Sequence, residues 1–417
     1  MLVSRHQIKM PQREVDVLDQ LIKAAKDARL DGIVARMLRV IREHLRMDAA
    51  FISQFVDDSV VIREFDGPGW EAPISRGDIY SAEETYCKHV LEGRLPQLIP
   101  DTGLDPFAAS MVMTRSIPIG RHISVPITMP DGSIYGMLCC AGSNADQSLL
   151  ERDLQILSAF AELTAFEINK DLESTKSSEE MRLRICDVMS QGQMAIVVQP
   201  IFDVATKRPI SVECLARFSA LPARTPDKWF QEAAQVGLGV ELEMTAMRLA
   251  HLLLPKFPPA VRVGVNVSPA TVLSQDFTAA LEGMEVSRLV LEITEHAYVV
   301  DYGLMLAALR PLRDRGLQIA VDDAGAGYAS LQHILNLRPD FIKLDIAMTR
   351  NIDRDVSRRA LAAALVRFSR DTGSVVIAEG VEREGELAAL GGLGIEMAQG
   401  YLLGRPVSPE IGRNLFA

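Results

Sequence analysis

The hydrophobic pattern changes character near residue 186. From there to residue 417, short apolar runs alternate with longer stretches in which apolar residues recur every three or four positions. The short runs are typical of buried strands and the longer stretches of amphipathic helices. The strand-like runs are 195–202, 210–218, 261–267, 288–294, 317–323, 341–345, 374–380 and 396–402. Eight such runs predict an α/β fold of the (β/α)-barrel type, with a doubly wound open sheet as the alternative.

The first half of the chain has a different pattern. Residues 15–28 and 32–45 have helical periodicity, and the apolar runs 49–55 and 59–65 predict two strands. Pro130-Asp131-Gly132 separates two further strand-like runs and is a strong hairpin signal. Helices followed by a hairpin-rich sheet and a closing helix predict an α+β domain.

The closing helix, predicted over residues 148–172, has two possible packing partners. Its apolar positions alternate in steps of three and four residues, which is heptad spacing. They are Leu150, Leu154, Leu157, Ala161, Thr164 and Ile168. This stripe predicts either packing against the sheet of the same chain or parallel pairing with a second chain in a homodimer. The polar segment 173–180 follows it and indicates a domain boundary.

Length and charge limit the function. At roughly 150 residues per domain, 417 residues predict two to three domains. Both halves are acidic and the net charge is −11, so we expect no binding of polymeric nucleic acid. The five cysteines form no metal-binding or disulfide pattern, and no apolar run is long enough to span a bilayer. These features predict a cytoplasmic protein without membrane insertion.

Polar residues follow the apolar strands of the predicted barrel. In a parallel barrel the C-terminal strand ends converge on one rim, where active sites lie. The polar residues at these ends are Glu213, Asn266, Glu292, Asp322, Asp323, Lys343, Glu379 and Gln399. Crowded carboxylates repel one another unless cations neutralise them, and an all-oxygen ligand set favours Mg²⁺ or Mn²⁺. The adjacent aspartates suggest two cations, an arrangement that serves phosphoester chemistry.

Residues 186–417 resemble the EAL domain, the family of phosphodiesterases specific for cyclic di-GMP. The resemblance is carried by six ordered motifs: E-C-L-A-R at 213–217, E-I-T-E at 292–295, D-D-A-G-A-G-Y at 322–328, I-K-L-D at 342–345, A-E-G-V-E at 378–382 and Q-G-Y at 399–401.

The EAL resemblance assigns roles to individual residues. It implies that Glu213, Asn266, Glu292 and Asp322 bind one cation and that Asp322 and Asp323 bind the other. Lys343 would hold the attacking water, and Glu379 would either accept its proton or position it. Gln199, Arg217 and Gln399 would contact the dinucleotide or its water. Glu295 would anchor the loop 322–330.

The first half more loosely resembles a GAF domain, through residues 85–102 and 123–142. The predicted organisation is an N-terminal helical segment (1–29), a GAF-like sensor domain (30–172), a linker or signalling helix (173–185) and an EAL phosphodiesterase domain (186–417). The GAF resemblance implies a possible small-molecule ligand without identifying it.

Two positions depart from the EAL pattern. Cys214 replaces an alanine of the signature, and Ala324 replaces a phenylalanine in the loop that carries the two aspartates. Losing an aromatic anchor there could loosen the metal site.

Two hypotheses about function follow: hydrolysis of cyclic di-GMP to 5'-pGpG under GAF control, or binding of cyclic di-GMP by a weak or inactive receptor that transmits the signal to a partner.

Overall fold

The structure is a computed structural model that describes residues 32–293, 299, 301–324 and 328–416. The chain divides into two compact units between Lys176 and Ser177. The predicted N-terminal helical segment, 1–29, lies outside the described residues.

The first unit is built on one six-stranded antiparallel sheet with the strand order β3-β2-β1-β6-β5-β4. Its elements are α1 (Gly32–His44), β1 (Ala49–Val56), β2 (Ser59–Asp66), β3 (Ile79–Ser81), α2 (Tyr86–Leu91), β4 (Leu98–Ile99), α3 (Pro106–Ser110), α4 (Val112–Ser116), β5 (Arg121–Thr128) and β6 (Ile134–Gly142), followed by the long helix α5 (Glu151–Ser190).

The hairpin signals of the sequence are confirmed. β1 and β2 are joined at Asp57, which adopts a left-handed φ of 50°, and β5 and β6 are joined at Gly132, with a φ of 83°. Turns of this kind need positive φ, which glycine and aspartate tolerate best. Both faces of the sheet are buried: α1 and α5 pack on one, and the segment containing α2 packs on the other.

Helix α5 joins the predicted closing helix and the predicted linker into one helix of 40 residues. The heptad stripe packs against the sheet of its own unit, where Leu157, Ala161, Thr164 and Ile168 are at most 3% exposed. Packing within the chain therefore uses most of the stripe, as the first of the two interpretations predicted.

The second unit is a closed eight-stranded barrel with the order β10-β11-β12-β13-β14-β7-β8-β9. Its elements are β7 (Met194–Asp203), β8 (Pro209–Phe218), α6 (Pro226–Gln235), α7 (Gly239–His251), β9 (Arg262–Val267), α8 (Pro269–Val272), α9 (Gln275–Ala280), β10 (Leu289–Ile293), α10 (Tyr302–Arg313), β11 (Gln318–Ala324), α11 (Tyr328–Leu337), β12 (Phe341–Leu344), α12 (Ile346–Thr349), α13 (Val356–Thr372), β13 (Val375–Ala378), α14 (Glu384–Gly392), β14 (Met397–Ala398) and α15 (Pro409–Asn414).

The barrel prediction is confirmed, and the open-sheet alternative is wrong. One detail differs from a fully parallel barrel: β7 runs antiparallel to both β8 and β14. The reason is the short connection 204–208, which can close an antiparallel hairpin but is too short for the crossover that parallel strands need. Among the described residues, no helix is both long and apolar enough to cross a membrane.

Candidate active site

Every strand of the barrel places one polar side chain at the same level of the interior. Along a strand, every second side chain points inward, so this level is one layer of a stacked core. The layer consists of Gln199 on β7, Glu213 on β8, Asn266 on β9, Glu292 on β10, Asp322 on β11, Lys343 on β12, Glu379 directly after β13 and Gln399 directly after β14. We call these eight residues the polar layer.

Lys343 lies at the centre of the polar layer. Its Nζ atom is 2.6 Å from Glu292 Oε2, 2.9 Å from Glu379 Oε1, 3.1 Å from Asp322 Oδ1 and 3.5 Å from Glu213 Oε2. The lysine is 1% exposed. Four carboxylates from four other strands therefore share one buried cation.

The amide side chains complete the layer. Gln399 Nε2 donates to Glu213 Oε2 at 2.7 Å and to Gln199 Oε1 at 3.0 Å. Asn266 Nδ2 lies 3.3 Å from Glu213 Oε1. Gln399 Oε1 is buried and has no hydrogen-bond partner within the described part of the chain. This buried oxygen is free to accept a hydrogen bond from a ligand or water.

A β-bulge brings the two adjacent aspartates to the same site. Val321 pairs with Ile342 and Ala324 with Leu344, so Asp322 and Asp323 together lie opposite the single residue Lys343. Asp323 has a left-handed φ of 52°, which a non-glycine residue rarely adopts. In an ordinary strand, neighbouring side chains point to opposite faces, and the bulge removes that constraint.

The carboxylates form two groups that share Asp322. Oxygens of Glu213, Glu292 and Asp322 lie within 4.8 Å of one another, and so do oxygens of Asp322, Asp323 and Glu379. Each group has the spacing that a bound cation requires. The donors are all oxygen, which matches Mg²⁺ or Mn²⁺ better than zinc.

The charge of the site is unbalanced. If all five carboxylates of the two groups are ionised, they carry four more negative charges than Lys343 balances, which is the charge that two divalent cations would neutralise. Burial raises the pKa of Glu292 well above its usual range and the pKa of Glu379 to about 8, although Lys343 opposes both shifts. Burial alone would lower the pKa of Lys343, but the four carboxylates together raise it well above its ordinary value.

Gly264 makes room for one of the carboxylates. It lies in β9 next to β10, and a Cβ atom at this position would overlap Glu292 Oε1. A glycine inside a strand often marks a close approach of this kind. Gly264 was not among the site residues predicted from the sequence, although its place between the β-branched residues Val263 and Val265 is the signal that could have identified it.

The structure brings together most of the residues predicted for the site, with one correction of detail. Glu213 does not end its strand, because antiparallel pairing with β7 continues β8 to Phe218. Glu213 instead lies near the end of the parallel pairing with β9, which covers Ser211–Cys214.

Two other predicted residues are not part of this cluster. Arg217 is exposed, donates a hydrogen bond to the Ala216 carbonyl and does not reach the carboxylates of the polar layer. Glu295 lies outside the described residues.

Two cavities adjoin the polar layer, and Asp323 lines both. One, of about 520 Å³, also contains Arg217, Asn266 and Glu243; the other, of about 380 Å³, contains Glu379 and Tyr401 among its lining residues. Neither Glu243 nor Tyr401 was among the site residues predicted from the sequence. Glu243 has no motif to identify it, whereas Tyr401 follows directly on Gln399-Gly400 in the last motif.

The two positions that depart from the EAL pattern are both buried. Ala324 is fully buried in the main core of the barrel, and its carbonyl accepts a hydrogen bond from Asp345 N at 3.3 Å. Asp322 keeps its contact with Lys343 beside this alanine. Cys214 is 5% exposed and packs in the same core, and burial raises the pKa of its thiol.

The model of the EAL domain family matches residues 182–406, which is more than half of the chain. The chain belongs to the EAL family. The model of the GAF domain matches residues 29–168, so the organisation is an N-terminal GAF domain followed by a C-terminal EAL domain.

Relatives named as cyclic di-GMP phosphodiesterases match about half of the chain. Cyclic di-GMP phosphodiesterase PdeF of Escherichia coli is 27% identical over 242 residues, which are 55% of this chain and 32% of PdeF. Cyclic di-GMP phosphodiesterase PA2567 of Pseudomonas aeruginosa is 29% identical over 226 residues, 52% of this chain and 38% of that protein. This chain therefore spans about a third of the length of the curated relatives it matches.

A solved structure supports the same fold. The PaMucR phosphodiesterase in complex with c-di-GMP has a TM-score of 0.50 and 27% identity, covering 56% of this chain and 99% of that one.

Proposed function

We propose that this EAL protein is a metal-dependent phosphodiesterase that hydrolyses cyclic di-GMP to 5'-pGpG. The observation that carries the proposal is the polar layer with its two carboxylate groups sharing Asp322. The phosphodiesterases PdeF and PA2567, which are named for cyclic di-GMP, and the c-di-GMP bound to PaMucR support this choice of substrate.

The carboxylate groups fit two divalent cations. Glu213, Asn266, Glu292 and Asp322 would hold one, and Asp322 and Asp323 the other, with Glu379 beside it. Two such ions, when bound, supply Lewis-acid stabilisation of phosphoryl oxygens and lower the pKa of a bound water. Mg²⁺ and Mn²⁺ are the proposed ions.

The remaining residues of the layer have separate tasks. Water adds to one phosphorus atom, the bond from that phosphorus to the ribose 3' oxygen breaks, and the 3' oxygen receives a proton. Lys343 stays protonated and places a positive charge where negative charge develops. Glu379, whose side chain is 17% exposed, lies 2.9 Å from Lys343 and would either accept a proton from the attacking water or position that water by a hydrogen bond. Gln399 orients Glu213 by donating to it, Gln199 accepts a second hydrogen bond from Gln399, and both would present amide groups to the substrate.

The cavities adjoining the layer are large enough for a dinucleotide. Ligand pockets are usually of about 300 to 1,000 Å³, and these two hold about 520 and 380 Å³. They meet at Asp323, which is where a phosphodiester between two nucleosides would have to lie. Arg217 lines the larger cavity and offers a guanidinium group suited to a phosphate.

The GAF domain is proposed to regulate this activity through α5. The helix contributes Ile168 to the core of the first unit and Ile185 and Val188 to the core of the second. Ser178→Pro would break this helix at an exposed position, and Ser178→Ala is its control. Regulation through α5 predicts different turnover rates for the two variants, and equal rates would contradict it.

The catalytic proposal is tested by incubating the purified full chain with cyclic di-GMP and Mn²⁺ and separating the products by chromatography. Wild type should form 5'-pGpG, and Glu213→Gln should lose at least about a hundredfold in turnover, because it removes a charged ligand of the first cation. Glu282→Gln, an exposed change of the same kind, should match wild type. EDTA should abolish the product in all three.

Binding without product would favour the alternative, a receptor for cyclic di-GMP. Calorimetry with the same samples separates the two cases, because a receptor retains affinity while forming no 5'-pGpG. The intact contact between Asp322 and Lys343 beside Ala324 favours turnover. Absence of both binding and product would contradict both candidates.

A further inference from the structure

The core of the GAF domain brings together two cysteines that are 52 positions apart in the sequence. Cys87 is on α2, and Cys139 is on β6, in the face of the sheet that the segment containing α2 covers. Their Sγ atoms are 3.6 Å apart, and the two residues are 3% and 0% exposed. A disulfide needs about 2.05 Å between its sulfurs, so a small approach of α2 to β6 would allow the bond to form.

The neighbouring cysteine of β6 is not part of this pair. Successive side chains of a strand point to opposite faces of the sheet. Cys140 therefore packs on the other face, in the core formed with α1 and α5. It is buried like Cys139 but has different neighbours, which makes it a matched control for the pair.

The two thiols of the pair have different surroundings. The hydroxyl of Ser53, on β1, lies 3.3 Å from Cys87 Sγ and can donate to it, although the Met137 carbonyl at 3.4 Å competes for this donor. The contact with Cys139 and the hydrogen bond from Ser53 lower the pKa of the Cys87 thiol, whereas burial opposes them. Burial raises the pKa of Cys139 well above its ordinary value. Because the thiolate is the reactive form, Cys87 is the better nucleophile of the two.

A small cavity adjoins Cys87 inside the same core. It holds about 20 Å³, and Tyr86 and His122 also line it. One water needs about 10 to 15 Å³, so the cavity suits a molecule of the size of hydrogen peroxide and excludes a bulky disulfide reagent. Neither ring nitrogen of His122 has a hydrogen-bond partner within the described ranges, so a polar molecule in the cavity would find an unused partner there.

We propose that Cys87 and Cys139 form a dithiol that hydrogen peroxide oxidises to a disulfide inside the GAF domain. The Cys87 thiolate attacks one peroxide oxygen, the O–O bond breaks, and the other oxygen leaves as hydroxide and is protonated to water. Cys139 then attacks the sulfur of the resulting sulfenic acid, and its proton leaves with the sulfenic hydroxyl as a second water. Two thiols are oxidised and one peroxide is reduced. The site does not depend on the proposed phosphodiesterase function.

Peptide mapping of the full chain without reductant tests the proposal. Cys186 is exposed, so every sample carries Cys186→Ser to prevent links between chains. The folded chain is treated with hydrogen peroxide, then unfolded while its free thiols are alkylated. It should lose two hydrogen atoms and yield two peptides joined through Cys87 and Cys139, and dithiothreitol should reverse both changes. Oxidised glutathione, which is too large for the cavity, should leave the folded chain unchanged.

Two matched pairs of variants test the roles of the individual residues. Cys139→Ala should stop at the sulfenic acid of Cys87, which dimedone traps when the chain is unfolded in urea, whereas Cys140→Ala should still form the disulfide. Ser53→Ala should slow the oxidation about tenfold, because a hydrogen bond to a charged group contributes about that factor. Ser124→Ala, at a fully buried serine opposite Cys139 on β5, should leave the rate unchanged.

Three results would overturn the proposal. The first is the absence of the link in folded chain treated with an amount of peroxide that oxidises free cysteine. The second is a link that forms through Cys140 instead of Cys139. The third is a folded Cys139→Ala variant without a dimedone adduct on Cys87. If Cys139→Ala does not fold, the peptide map of the parent chain and the rates of the two serine variants still decide the question.

Discussion

Two buried nitrogen bases, one in each unit, show opposite electrostatic behaviour. Lys343 in the barrel and His122 in the GAF domain are each 1% exposed. Burial lowers the pKa of His122 to about 3, whereas the pKa of Lys343 is raised. Burial favours the neutral form in both, so the difference must come from their surroundings.

The surroundings differ in charge. Lys343 has four carboxylates within 3.5 Å, whereas His122 stacks on the Tyr86 ring with 4.6 Å between centroids. Neither ring nitrogen of His122 has a hydrogen-bond partner in the described part of the chain. The barrel therefore retains charge at its centre because counter-charge is concentrated there, whereas the surroundings of His122 favour its neutral form.

Removing the charge of Lys343 should have the largest effect on the barrel. Lys343→Met leaves the carboxylates without their central cation, and breaking a buried pair in this way costs about 3 to 5 kcal/mol. We expect a loss of that size in the unfolding free energy of the barrel in EDTA. Urea unfolding followed by Trp229 fluorescence measures it, in a Trp70→Phe background, because Trp229 is fully buried in the barrel and Trp70 lies in the GAF domain.

The control for Lys343 is a lysine with an exposed partner. Lys256 pairs with Glu410 at 3.1 Å on the surface of the barrel, where both side chains are exposed. Lys256→Met should change the stability little, because such surface pairs are usually worth less than about 1 kcal/mol. Equal losses of unfolding free energy in the two variants would show that the folded barrel does not need Lys343 to balance the charge of the carboxylates around it.

A smaller change, at Gly264, acts on the contact between Glu292 and Lys343. Gly264→Ala adds one methyl group that would overlap Glu292 Oε1, so the carboxylate must move away from its place beside Lys343. Overpacking of this kind costs about 1 to 3 kcal/mol, and we expect about a tenfold loss of Mn²⁺ affinity in calorimetry. Gly392→Ala, where an added Cβ meets nothing, should bind Mn²⁺ as wild type does. Unchanged affinity in Gly264→Ala would remove Glu292 from the proposed metal site.

The barrel and most of the polar layer could be predicted from the sequence. Strands buried on both sides give continuous apolar runs, and the polar residue that ends a run marks the rim where parallel strands converge. Glu292, Asp322 and Lys343 were identified by that rule alone. The same rule misplaced the end of β8, because the rule assumes parallel neighbours and β7 is antiparallel.

Other features depend on contacts between strands that the sequence does not encode locally. The bulge at Asp322 and Asp323 requires the register with β12, and the role of Gly264 requires the position of Glu292 on the next strand. The heptad stripe of α5 has the same spacing whether it packs on a sheet or on a second helix, so spacing alone could not decide between the two.

The smallest expected effect is a pH dependence of the GAF domain. His122 has a folded pKa of about 3 and an ordinary unfolded pKa near 6.5, so between these values the unfolded chain binds a proton that the folded chain does not. The contribution of His122 to stability is complete above about pH 6.5 and is lost as the pH falls towards 3, by up to about 1.4 kcal/mol per pH unit. Urea unfolding at pH 6 and pH 5, followed by Trp70 fluorescence in a Trp229→Phe background, measures this loss.

Two histidine variants isolate the contribution of His122 from that of the other titrating groups. His122→Phe keeps an aromatic ring against Tyr86 and cannot titrate, so its loss of stability between pH 6 and pH 5 should be smaller than that of wild type by about 1 kcal/mol. His44→Gln, at an exposed histidine of α1, should keep the wild-type slope. If His122→Phe also kept the wild-type slope, His122 would be protonated in the folded state, and the contrast with Lys343 would rest on something other than the missing counter-charge.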